Sequence, residues 1–334
     1  MWLLRRDLCP DPRPVNASVI IVTGGSGFIG SNIVRALNRA GHSDILVVDD
    51  LRDGHKIRNL ADCAIAEYLD MHDFAARIAA GQEFSPKLEA VFHQGACTDT
   101  AQWNGLLMMR NNYEYSRQLL AFATGRRVPL IYASSASVYG AGRDARVSED
   151  CEQPINVHAF SKLMFDRHVR QVTATFRSPV VGLRYFNAYG PGEAHKGAMA
   201  SVILKFREQL EDGEEVRLFA GTDGARNGEQ MRDFIHVDDI VAVNLWAWQQ
   251  GLKSGIFNVG TGKARSFNDV AGVVLKWHGR GRIAYEPLPA HLQGSYRSYS
   301  QADLTGLRAA GYSAPFMPIE EGVPRYLDAW NPGT

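Results

Sequence analysis

No stretch of this chain restricts its fold as tightly as Gly24-Gly25-Ser26-Gly27-Phe28-Ile29-Gly30. It follows the β-branched run Val19-Ile20-Ile21-Val22-Thr23 and leads into a segment where Ile33, Ala36, Leu37 and Ala40 recur at helical spacing. Between a strand and a helix, each glycine has a task. Gly24 permits a tight turn, Gly27 lets backbone amides approach a pyrophosphate, and Gly30 allows the helix to pack closely. The helix start at Phe28 and Ile29 then presents its partial positive charge to the phosphates. Asp49 closes a second apolar strand, Ile45–Asp49, 19 positions beyond Gly30, where a ribose-binding acid is expected. The segment predicts a dinucleotide site. Asp49 and Asp50 oppose a 2′-phosphate, while Arg52, Lys56 and Arg58 can neutralise one. NADP is the expected cofactor, with NAD the alternative.

The same alternation continues through Ala90–His93, a helix over Asn112–Thr124, and Leu130–Ala133. Continuous apolar strands between amphipathic helices imply an α/β fold, a Rossmann-type doubly wound parallel sheet covered on both faces. After Asn187 the texture turns to loops such as Gly224–Gln230, then returns to strands at Asp233–Val237 and Gly255–Gly260 and a helix at Phe267–His278. Asp238 or Asp239 is expected to cap the helix through Trp248. Two interleaved units follow: residues 18–186, 233–262 and about 297–317 for the cofactor, and 187–232, 263–296 and about 318–334 as a smaller substrate-binding lobe. Residues 1–17 read as a poorly ordered extension. With 36 Lys+Arg against 36 Asp+Glu, the chain carries no formal net charge, which disfavours a nucleic-acid partner. No apolar run is long enough for a membrane span. The cysteines Cys9, Cys63, Cys97 and Cys151 lack metal-binding spacing, so no metal is expected and a cytoplasmic location is.

Ser134-Ser135-Ala136-Ser137-Val138-Tyr139-Gly140 follows a buried strand, and His158-Ala159-Phe160-Ser161-Lys162 lies downstream. These segments resemble the extended short-chain dehydrogenase/reductase superfamily, and the resemblance runs from Val19 onward. That superfamily pairs a serine with Tyr-x-x-x-Lys; Ser135 and Lys162 match it, but His158 stands at the tyrosine position. A neutral imidazole can act as a general base, and a nearby Lys162 would depress its pKa by repulsion. The sequence leaves open a natural histidine base, an engineered replacement, or a lineage with weakened activity.

Further segments narrow the resemblance to the ADP-glyceromanno-heptose 6-epimerase family. They include Phe92-His93-Gln94-Gly95-Ala96-Cys97-Thr98, Met108–Tyr113, and Arg184-Tyr185-Phe186-Asn187-Ala188-Tyr189-Gly190-Pro191 running into His195-Lys196-Gly197-Ala198. The C-terminal Ser300–Leu304 and Arg308–Tyr312 complete the match. The resemblance implies epimerisation of an ADP-heptose at C6 by transient oxidation and re-reduction, with proton exchange at the His158 position on one face and at Lys196 on the other. It implies further cofactor contacts at Gln94, Gly95, Ala96, Asn111, Lys162 and Ala188. Substrate contacts are implied at Ser135, Asn187, Lys196, Ala198, Lys205, Phe219, Ala220, Gly221, Thr222, Arg232 and Tyr296. It also implies a homo-oligomer supplying heptose for bacterial lipopolysaccharide. Asp50 and Met71 depart from the Asn and Lys of the family, and the Gly224–Gln230 loop is longer than its usual counterpart. Two alternatives remain: another nucleotide-sugar epimerase or reductase of this fold, and a non-catalytic NAD(P)-binding protein.

Overall fold

The first half of the chain forms β1 (Val19–Thr23), α1 (Phe28–Arg39), β2 (Ile45–Asp49), β3 (Glu67–Asp70), α2 (Met71–Ala79), β4 (Leu88–His93), α3 (Gly105–Met108), α4 (Tyr115–Gly125), β5 (Leu130–Ser135), α5 (Val157–Val172) and β6 (Val180–Tyr185). The second half forms β7 (Asn187–Tyr189), α6 (Val202–Asp212), β8 (Glu215–Phe219), β9 (Met231–His236), α7 (Val237–Gln249), β10 (Gly255–Val259), β11 (Ala264–Ser266), α8 (Phe267–His278), β12 (Arg282–Glu286), α9 (Thr305–Ala309) and α10 (Ile319–Ala329). The structure is a computed structural model and describes residues 18–85, 87–222, 224–289 and 298–330. The predicted extension, Cys9 and Tyr296 lie outside them.

Seven parallel strands build the main sheet in the order β10-β6-β5-β4-β1-β2-β3, the Rossmann-type arrangement the sequence predicts. Successive strand residues point to opposite faces. Ile20, Val22, Ile45 and Val47 therefore pack with Ile33 and Leu37 of α1 and Ile240 and Val243 of α7. Val19, Ile21, Leu46 and Val48 pack on the other side with Phe74, Leu119, Phe165 and Val169 of α2, α4 and α5. Each such side chain stabilises the fold by roughly 1.5–3 kcal/mol. Sequence order reverses between β1 and β4, so the loops leaving those two strands open a crevice at the carboxyl edge of the sheet. A three-stranded sheet, β11-β9-β7, and a two-stranded pair, β12-β8, lie beyond that edge. Their core is a separate cluster that includes Leu204, Leu210, Leu218, Val270 and Tyr326.

Two local expectations are corrected. The helix predicted from Asn112 begins as a π-helical turn, Met109–Glu114, and becomes α-helical only at Tyr115. Asn112 is drawn sideways there, to the Cys97 backbone and to Ser161. The cap of α7 is His236, whose Nδ1 accepts from the Asp238 amide at 3.2 Å. Asp238 and Asp239 sit in the first turn instead, and Asp239 accepts from the Met317 amide. One packing contact is unusually close: a Cβ on Gly182 of β6 would lie 2.4 Å from the Tyr132 hydroxyl of β5.

Candidate active site

The loops leaving β1, β2, β4, β5 and β6 bring most of the predicted residues to one edge of the sheet. Gly24 adopts φ +67°, and a Cβ there would lie 2.6 Å from the Gly95 nitrogen. A Cβ on Gly30 would lie 2.0 Å from the Gly24 carbonyl. No larger residue fits either place. Gly27 caps α1 without a side chain, which leaves the first-turn amides at Phe28 and Ile29 without a side-chain cap. This bare cradle suits a dinucleotide phosphate. Gly95 donates to Thr23 Oγ1, and Gln94 donates from its backbone to Thr23 O, so the β4 loop lies against the turn. The Gln94 side chain turns to Tyr185 and Asn244. Ala96 continues this loop, and Asn111 is half-buried in the π turn.

Asp49 is buried at the end of β2. It accepts from Ser26 N at 2.9 Å, Asp50 N at 2.7 Å and Lys56 Nζ at 3.0 Å. Lys56 also donates to Asp50 O, while Arg52 pairs with the Asp50 carboxylate. Lys56 thus already offsets the charge that would repel a 2′-phosphate.

Ser135 ends β5, and its Oγ accepts from Ser137 N and Ser137 Oγ. His158 and Lys162 lie one turn apart on α5, which Asn156 caps. Lys162 is buried, donates to Ala133 O at 2.9 Å, and is pushed down to about 8 by that burial. Burial also pushes His158 down to about 4; Lys162 adds repulsion and Asp99 opposes it. His158 Nδ1 is buried with no hydrogen-bond partner. At neutral pH the imidazole is uncharged and has an acceptor or donor position to spare.

Asn187 and Ala188 begin β7 just past β6. Beyond them Lys196 occupies a short 3₁₀ turn, Ala194–Met199, made possible by Gly197 at φ +50°. Its ammonium lies 5.1 Å from the Phe28 ring centroid and 3.9 Å from Glu193 Oε2. Burial lowers its pKa; Glu193 opposes the shift and Lys205 adds to it. Lys205 donates to Ala198 O at 2.7 Å, closing the turn on α6.

The remaining predicted residues form a second group in the smaller sheets. Phe219–Thr222 lead out of β8, with Ala220 O accepting from Gln230 and Gly221 N donating to Asn227. Arg232 of β9 donates to Met231 O and lies 5.6 Å from the Phe267 ring. A surface groove of about 680 Å³ between 143–146, 261–263 and 299–308 contains none of the predicted residues. Its Arg146 is paired with Asp144 and its Arg308 with backbone carbonyls, so it is not this site.

Sequence reasoning missed the residues that hold the site together. Arg184 is fully buried and donates to Glu152, Asp166 and Tyr139, fastening β6 to α5 and to the turn after Ser135. Asn112 links Cys97 to Ser161, whose hydroxyl donates to His158 O. Glu193 had one visible signal, an acid three residues before Lys196.

A profile of the NAD dependent epimerase/dehydratase family matches residues 20–260. The chain is similar in structure to Helicobacter pylori ADP-L-glycero-D-manno-heptose-6-epimerase, with TM-score 0.82 and 31% identity over 94% of this chain and 96% of that one. It also resembles Thermotoga maritima UDP-glucose 4-epimerase with UDP-glucose, with TM-score 0.76 and 26% identity over 93% and 98% of the chains. Thermus thermophilus UDP-glucose 4-epimerase in complex with NAD gives TM-score 0.76 and 27% identity over 95% and 100%. Among the described residues no helix is long and apolar enough to cross a membrane.

Proposed function

The chain belongs to the NAD dependent epimerase/dehydratase family, within the extended short-chain dehydrogenase/reductase superfamily, and we propose that it is an ADP-heptose 6-epimerase. The observation that carries this reading is that two separate proton-transfer candidates, His158 beside Lys162 and Lys196 over Phe28, come to the carboxyl edge of the sheet from different elements. His158 comes from α5 and Lys196 from an arm lying over α1, as inversion from two faces requires. The overall likeness to the Helicobacter pylori heptose epimerase adds the substrate class.

In this reading the Gly24–Gly30 turn, Asp49, Lys56 and Lys162 hold the dinucleotide, with Lys56 favouring NADP. A bound nicotinamide would accept hydride from C6, a secondary carbinol, and return it to the resulting ketone. His158 takes the hydroxyl proton on one face, since its imidazole is uncharged at neutral pH. Ser135 orients that hydroxyl. Lys196, its ammonium destabilised by burial, exchanges the proton on the other face after the ketone turns about C5–C6. Arg232, Lys205 and the Phe219–Thr222 segment bind the ADP moiety. An imidazole of such low basicity is a weak proton acceptor, which predicts a slow enzyme. Residues 187–232, 263–296 and about 318–334 serve the sugar, and the remainder from residue 18 serves the cofactor. The protein works in the cytoplasm as a homo-oligomer.

The test is incubation of the purified protein with ADP-D-glycero-D-manno-heptose and no added reductant. NMR of the product heptose reads the C6 configuration. Appearance of the L-glycero epimer is expected; an active preparation that leaves C6 unchanged would sink the proposal.

A further inference from the structure

The arm that carries Lys196 is fastened to the cofactor turn rather than to the smaller sheets alone. On its N-terminal side, Asn32 of α1 donates to Pro191 O at 2.8 Å. Asn59 ends the short turn Gly54–Asn59 that also supplies Lys56. Its amide nitrogen lies 3.0 Å from Ser26 O, 3.0 Å from Gly192 O and 3.3 Å from His195 Nδ1. One side chain therefore bridges the glycine turn, through Ser26, to Gly192 just before Glu193 and to His195 just before Lys196. Gly192 supplies the backbone conformation of that approach, φ +94°, which residues carrying a Cβ rarely adopt.

On the other side, the fully buried Glu193 carboxylate accepts from Ser201 N and Ser201 Oγ, both at 2.6 Å. The backbone is thus held both before and after Lys196, so the freedom left to the ammonium is that of its own stem. The contact from Asn59 to His195 Nδ1 also needs an acceptor on that nitrogen. Burial keeps the His195 pKa below its usual value, which favours the neutral ring that provides one.

We infer that Asn59 is a positioning residue for Lys196: its amide makes the glycine turn and the Lys196 arm one unit, so that a dinucleotide seated on the turn fixes the place of Lys196. The inference rests on the reading of Lys196 as a proton-transfer group, but its first test does not use turnover. The full-length protein is acetylated with a water-soluble N-hydroxysuccinimide ester, with and without saturating NADP⁺ or NADPH, and labelling of each lysine is followed by mass spectrometry. The exposed Lys253 and Lys276 serve as internal references. Dinucleotide is expected to change the Lys196 labelling rate about fivefold in the unaltered chain, and less than about twofold in Asn59→Ala at matched saturation. Asn59→Asp keeps the side-chain shape, removes the donors, and serves as the second variant. Full dinucleotide dependence in both variants, or none in the unaltered chain, overturns the inference.

The second test is a double-mutant cycle on kcat. Asn59→Ala is expected to lower kcat about tenfold, yet to change it less than about twofold when Lys196 is already Met. Equal losses in the two backgrounds would mark Asn59 as a structural residue only and refute its action through Lys196. Should the protein turn over no ADP-heptose, the functional reading fails while the labelling result still decides the role of Asn59.

Discussion

Two buried histidines, one at the end of β4 and one at the start of α5, show how similar burial serves different ends. Burial pushes His93 down to about 3 and His158 down to about 4, and Lys162 repels both. Their hydrogen bonds differ. His93 Nδ1 is 2.6 Å from Thr23 Oγ1, and its Nε2 is 2.8 Å from Ser116 Oγ. Because Ser116 donates its only hydroxyl proton to Asn112 O, His93 must donate from Nε2 and accept at Nδ1. Both nitrogens are satisfied, and the ring is a fixed strut between strand and helix. His158 has a buried Nδ1 with no partner. Low basicity alone therefore does not distinguish these two rings; the unpartnered Nδ1 of His158 does, a feature shared by Nε2 of His236 in the cap of α7.

The sharpest way to break the comparison is to remove each ring's polarity. His158→Phe keeps the bulk and discards the orphaned nitrogen, so stability should hold while kcat falls by roughly 10²–10⁴. Steady-state kinetics and urea unfolding on one preparation check both halves. Acid comes next. Both folded-state pKa values lie below the unfolded value of 6.5, so the unfolded chain takes up protons first. Stability is full above pH 6.5 and falls as the pH drops toward 4. At pH 5 each ring should cost about 2 kcal/mol relative to pH 7, and His158→Phe should halve the combined loss. Urea midpoints at the two pH values read this directly; an unchanged loss in the variant would mean His158 is not buried as a neutral ring. His93→Leu should then cost about 1–3 kcal/mol of stability and leave kcat per folded molecule within about threefold. Smallest is His158→Tyr, expected to raise kcat about tenfold by placing a phenol beside Lys162. No gain would show that the pocket is already fitted to imidazole.

What the sequence reveals of this site is what is decided locally. Seven consecutive residues define the glycine turn, and spacing along one βαβ unit locates Asp49. The identity of Lys196 as a candidate likewise follows from its own segment. The supports are different in kind. Asn59 meets Gly192 across 133 positions, and Asn32 meets Pro191 across 159. An asparagine in a polar turn gives no hint of such a partner, because the partner is chosen by how the loops dock. The cap of α7 escapes the sequence for a smaller reason: aspartate is the stronger capping residue in general, but the chain enters this helix one residue before Asp238. Arg184 was legible as part of a motif, yet nothing local says that its guanidinium would be wholly buried among Glu152, Asp166 and Tyr139.

The contact between Gly182 and Tyr132 bears on which sequences can descend from this one. The Tyr132 hydroxyl reaches Asp166 at 3.0 Å by passing through space that any side chain at 182 would fill. Alanine at 182 is therefore closed to this lineage while tyrosine stands at 132, and opens only after the ring has been lost. Losing the ring first strips Asp166 of a donor beside Lys162. Mutational drift at these two neighbouring strands thus has a permitted order, with the harmful step first, and the pair should persist together even where the surrounding core varies freely.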